Sequence, residues 1–122
     1  MMMDLNSLPV AAPDAICLNC LRTLNDAGKG FIFIVGKDGS LEGVFTDGDL
    51  RRIMTSNGYS ILSDKMLNLV TSNPRSIGET ETLRKALDLM NTEPRVAFLA
   101  VTRCKQLVGA ISRHDILNYT VE

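Results

Sequence analysis

Two short stretches hold the residue types best suited to chemistry. Thr46-Asp47-Gly48-Asp49 and Ser112-Arg113-His114-Asp115 each set a hydroxyl three positions ahead of a carboxylate, after an apolar run and before an aliphatic residue, Leu50 or Ile116. If a strand gives way to a helix at the hydroxyl, the first helical N–H groups are unpaired and carry partial positive charge, which favours a phosphate. A Thr or Ser hydroxyl adds a donor, and an Asp one turn on offers two acceptors to ribose-type hydroxyls. The same spacing is also that of a capping box, which stabilises a helix start with no ligand at all. The two copies differ in their neighbours. Asp47 opposes an anion beside Thr46, with Arg51 and Arg52 placed to offset it. In the second copy Arg113 is the strongest phosphate candidate of the chain.

Catalytic machinery is not expected. His114 is the single histidine, and its neighbour Asp115 points elsewhere on a helix, so the two form no dyad and no Ser-His-Asp set is available. A GxxxxGK[ST] phosphate loop is absent. The three cysteines are an odd count that argues against a disulfide framework. Cys17 and Cys20 share a helical face with Leu21 and Leu24, so they read as core. Zinc would need four ligands where the rest of the chain adds only Cys104 and His114, so no metal is expected. Net charge is −1 over 122 residues, with 45% hydrophobic and 22% charged. That balance fits a globular chain and gives no basic excess for nucleic acid or an anionic membrane. The apolar runs, such as Phe31 to Val35, are all too short to span a bilayer. No secretory signal precedes them, so the cytoplasm is the expected compartment.

The elements that would position these residues recur. Gly43 and Gly109, Asp49 and Asp115, Leu41 and Leu107, Val35 and Val101, and Leu21 and Leu87 all match at one offset of 66. Thr46 falls on Ser112 and Leu50 on Ile116. Cys17, Cys20, Leu21 and Leu24 stand at i, i+3, i+4 and i+7, as do Leu83, Ala86, Leu87 and Met90, which gives each half a helix with one apolar face. The first half predicts an extended start at Leu8–Ala11, a helix from Pro13 to about Ala27, strands over Phe31–Val35 and Leu41–Phe45, and a helix from Asp47 to about Met54. Lys37-Asp38-Gly39-Ser40 is turn chemistry between the strands. The second half predicts an extended start at Arg75–Ile77, a helix from Glu79 to about Thr92, strands over Val96–Val101 and Gln106–Ile111, and a helix from Arg113 to about Tyr119. The fold class is α+β, with small α/β-type sheets carrying helices, as two β-α-β-β-α repeats about a pseudo-twofold axis. Residues 1–122 form one module: repeat 7–55, linker 56–70 and repeat 71–120. A half of this size is marginal alone.

The stretch GVFTDGDL from Gly43 and its counterpart GAISRHDI from Gly109 resemble the signature of the CBS (cystathionine-β-synthase) module, a family of paired small domains that sense nucleotides. The resemblance covers about Leu8 to Asn118. It implies a ligand in the cleft between the repeats, with Thr46 and Asp49 serving one site, and Ser112, Arg113 and Asp115 the other. It also implies that the strand after each first helix lines a base pocket, here Gly30, Phe31 and Ile32, and Val96, Ala97 and Phe98. The run GVFTDGDLRR and the His-Asp-aliphatic-Leu ending are similar to the CBS pair at the C-terminal end of bacterial arabinose 5-phosphate isomerases. That likeness implies a non-enzymatic regulatory part with no required cofactor, working with an upstream sugar-isomerase domain in Kdo, lipopolysaccharide or capsule synthesis. Its ligand would be CMP-Kdo, AMP or ATP, and it would form a homodimer. A sugar-nucleotidyltransferase with a similar TDGD(I/L)RR run is the other possible parent, and a dimerisation module without ligand is the other role. Phe98-Leu99-Ala100-Val101 departs from the family pattern in lacking a proline.

Overall fold

The computed structural model describes residues 3–4, 8–72, 74–92, 96 and 98–113. They form two compact units: Leu8–Pro74, and Met1–Ser7 with Arg75–Glu122. The elements are β1 (Met3–Asp4), β2 (Val10–Ala11), α1 (Cys17–Ala27), β3 (Phe31–Val35), β4 (Leu41–Thr46), α2 (Asp47–Asn57), β5 (Thr71–Ser72), β6 (Ser76–Gly78), α3 (Leu83–Asn91), β7 (Phe98–Arg103) and β8 (Gln106–Ser112).

The first unit carries the sheet β2-β3-β4-β5. β2 and β3 run parallel, joined across α1, while β3, β4 and β5 pair antiparallel. β3 is buried along nearly its whole length, as an uninterrupted Phe-Ile-Phe-Ile run requires when neither face meets water. Ile32 and Ile34 pack with Phe45, Cys17, Cys20 and Leu24, which is the apolar face of α1 laid on the sheet. Phe31 and Phe33 stack tilted on the same strand, ring centres 5.0 Å apart. The second unit repeats the plan as β1-β8-β7-β6, with Ile77, Leu99, Val101 and Ile111 under Ala86 and Met90 of α3.

Several expectations need correction. α1 starts at Cys17 rather than Pro13. The backbone before it is taken by the stretch after α2: Pro13 and Ala15 carbonyls accept from Leu67 and Met66 N–H, and Cys17 N–H donates to the Asp64 carbonyl. A helix beginning at Pro13 would lose these bonds. α3 likewise begins at Leu83, where Thr82 accepts from Lys85 N–H as the cap. α2 runs three residues past Met54, and Gly58 N–H closes its last turn on the Met54 carbonyl. The expected linker is ordered in short 3₁₀ turns, Gly58–Ser63 and Met66–Asn68, which bury Ile61 and Met66.

The offset is also not uniform. Ile34 pairs with Gly43 and Val101 with Gly109; Phe31 pairs with Thr46 and Phe98 with Ser112. β4 and β8 are thus 66 residues apart, but β3 and β7 are 67, so Val101 stands in the place of Ile34, not of Val35. The extra residue lies between α3 and β7 and is recovered in the hairpin, where Cys104 and Lys105 alone turn the chain. Both have positive φ, 51° and 71°, the backbone that two-residue hairpins with matching twist demand. The expected helix over Arg113–Tyr119 lies outside the described residues beyond Arg113.

Candidate functional site

In the first unit the strand-to-helix junction is built as its spacing implies. Thr46 ends β4 in extended conformation and caps α2: its Oγ accepts from Asp49 N–H at 3.0 Å, and Asp49 Oδ2 accepts from Thr46 N–H at 3.0 Å. Arg52 Nη2 donates to the other carboxylate oxygen, Oδ1, at 2.8 Å. Both oxygens of Asp49 are therefore engaged, one by the backbone and one by a guanidinium that is itself mostly exposed. Arg51 is exposed on the same helix. Gly30 meets this junction directly, its carbonyl accepting from Asp47 N–H at 3.1 Å. Its φ of +81° is a backbone state that side chains rarely take, and an added Cβ would lie 3.6 Å from Asp47 Oδ2. Gly30, Phe31, Thr46, Asp47 and Asp49 thus share one end of the β3–β4 pair. Ile32 faces the other way, fully buried against α1, so its side chain serves the core.

In the second unit Phe98 pairs with Ser112, as Phe31 does with Thr46. Arg113, expected to meet phosphate, turns to the end of α3. Nη2 donates to the carbonyls of Met90 at 3.0 Å and Val96 at 3.2 Å, and Nη1 to the Asn91 side chain. Arg75 Nη1 joins it on the carbonyls of Leu89 and Thr92, each at 2.8 Å. Two guanidinium groups so gather on the negative end of one helix. The sequence signal missed here is comparative: α1 ends on Gly28 in the left-handed conformation, while the matching place in α3 has none, and cations fill that role. Ala97, His114 and Asp115 lie outside the described residues.

Cys17 and Cys20 are buried in the first core as free thiols, and Cys104 is exposed. Among the described residues no three His, Cys, Asp or Glu side chains gather as metal ligands do, and no helix there is long and apolar enough to cross a membrane.

The CBS domain family model matches residues 2–56 and 66–122. A "Probable arabinose 5-phosphate isomerase" of Haemophilus influenzae is 32% identical over 85% of this chain and 31% of its own length. Arabinose 5-phosphate isomerase KdsD of Francisella tularensis is 27% identical over 92% of the chain and 34% of its own length. Among solved structures, CBSX2 in complex with AMP superposes with TM-score 0.83 at 20% identity, over 98% of this chain and 92% of that one. A β-α-β-β plan seen twice and a family model that matches both halves define the class: the chain belongs to the CBS domain family, as a tandem pair. It spans about a third of the length of the curated relatives it matches.

Proposed function

We propose that this chain is a regulatory, ligand-sensing CBS pair that binds a nucleotide or nucleotide-sugar and performs no catalysis itself. The observation that carries the reading is the repeated strand end, where Thr46 and Ser112 close β4 and β8 opposite Phe31 and Phe98. A phosphate at the start of α2 would draw the Asp47 and Asp49 N–H groups from the Gly30 carbonyl and the Thr46 hydroxyl, and ribose hydroxyls would address Asp49. Ser112 and Asp115 would do the same in the second copy. Arg113 would join if phosphate drew it from the end of α3. AMP and ATP are the first ligands to try, since a neighbour of the same fold is bound to AMP. CMP-Kdo is the next, since the curated relatives include arabinose 5-phosphate isomerases. In such a parent the pair would act on an upstream sugar-isomerase domain, in the cytoplasm and as a homodimer. A sugar-nucleotidyltransferase is the other parent.

Thermal unfolding with each ligand at millimolar concentration tests the reading. A ligand at a hundred times its Kd adds about 2.7 kcal/mol, so Tm rises. Asp49→Asn or Asp115→Asn then removes the rise at its own site. No rise with AMP, ATP or CMP-Kdo would overturn the proposal. It would leave the second reading, a dimerisation module whose motifs only cap helices, which the double engagement of the Asp49 carboxylate favours. There Asp49→Ala would cost about 0.5–2 kcal/mol of stability and change nothing else.

A further inference from the structure

The two units solve one packing problem differently. In the first, Met66 is fully buried in the cluster of Cys17, Cys20, Ile34 and Phe45, with Ala11 beside it. Its segment is an extended step at Asp64 and Lys65 that enters the 3₁₀ turn Met66–Asn68, with Met66 and Leu67 N–H donating to the Ala15 and Pro13 carbonyls and the Asp64 carbonyl accepting from Cys17 N–H. In the second unit the equivalent residues, Leu83, Ala86, Val101, Ile111 and Ile77, line an open cavity of about 200 Å³. Glu79 and Glu81 stand on its rim where the first unit has Pro13 and Ala15.

Strand register says which chain would fill it. β5 pairs with β4 through Val44 and Thr71, and β1 pairs with β8 through Ala110 and Met3. Met3 therefore matches Thr71. Met66 lies five residues ahead of Thr71, so its counterpart lies three positions ahead of Met1. We infer that the cavity is a docking site for polypeptide joined ahead of Met1, received as a short extended step entering a turn, with one unbranched apolar side chain at the start of that turn, as Lys65 leads into Met66. Glu79 and Glu81 on the rim are paired with Arg103 and Lys85, so the apolar side chain carries the recognition. The curated relatives are about three times as long as this chain, so polypeptide of that kind has precedent among them.

The test grafts the chain's own docking segment. Residues 61–70, ILSDKMLNLV, are joined directly to Met3 in place of Met1 and Met2, which sets the grafted methionine five residues ahead of Met3. The control carries Asp in place of that methionine. The expected result is a Tm about 4 °C or more above the control, with methyl NMR shifts at Leu83, Ala86, Val101 and Ile111. The same ten residues as a free peptide should shift those methyls weakly, since the linkage is lost. Equal Tm for graft and control, or shifts at Ile34 in place of Val101, would overturn the docking site.

Discussion

Cys17 and Cys20 look like reactive chemistry when met as a Cys-x-x-Cys pair, yet each is surrounded by side chains that ask only for a small apolar group. Cys17 is fully buried and Cys20 nearly so. Burial pushes the Cys17 thiol above its ordinary 9.0, with the negative charge of Asp64 adding to it; burial does the same for Cys20, helped by Cys17. A thiol reagent added to the native chain should therefore modify exposed Cys104 at once, and Cys17 and Cys20 only as the unit opens. Fast labelling of all three would contradict this placement. The sign of the linkage follows. A folded pKa above the unfolded value keeps these thiols protonated in the native state while the unfolded chain ionises. Their contribution is whole below pH 9.0 and declines as pH rises above it. The urea midpoint should fall from pH 8 to pH 10, and by less in Cys17→Ala/Cys20→Ala. The helical spacing made this legible beforehand, because it put both cysteines on the face of Leu24. The posture of Arg113 was not legible. A guanidinium suits a phosphate and a cluster of carbonyls equally, and only the chain path from Met90 to Val96 settles which is within reach.

The end of α3 belongs to the scale of the element. The last carbonyls of a helix need donors, and in α1 left-handed Gly28 ends the helix. In α3 the residue after the helix, Thr92, is extended, so Arg75 reaches across from the stretch leading into β6 to the Leu89 and Thr92 carbonyls. Arg75→Ala should cost about 1–2 kcal/mol, read from the urea midpoint, the sum of charge-assisted bonds and a helix-end charge discounted for partial exposure. Arg75→Lys should recover only part of it, since one ammonium cannot reproduce the planar fork; full recovery would mean that charge alone matters. Long elements such as β3 and β4 were readable from apolar runs and turn residues. β1 and β5 were not, because two residues carry no periodicity and owe their existence to a neighbour's open edge. The β7 start slipped for a related reason: an offset set by Gly43 and Gly109 holds for β4 and β8, and nothing in the apolar pattern marks the single residue added before Phe98.

At the scale of the whole chain, the sequence halves are not the structural halves. Residues 71–72 open the second repeat as the sequence divides it yet pair with β4 of the first unit, and residues 3–4 precede the first repeat yet pair with β8 of the second. A repeat read only as a string divides at the midpoint, which is why this exchange of edge strands escaped the sequence. Each exchange covers an edge that would otherwise show unpaired N–H and C=O groups along a buried strand's neighbour. It also ties one end of the chain to the stability of the other. Deleting residues 1–7 removes β1 and uncovers β8 but leaves β4 still paired by β5. Amide exchange should then quicken at Gly109–Ile111, with Val44 and Phe45 unchanged. If the midpoint division were the true one, the deletion would instead loosen the β2–β3 pair of the first unit, at Phe33 and Ile34, and spare β8.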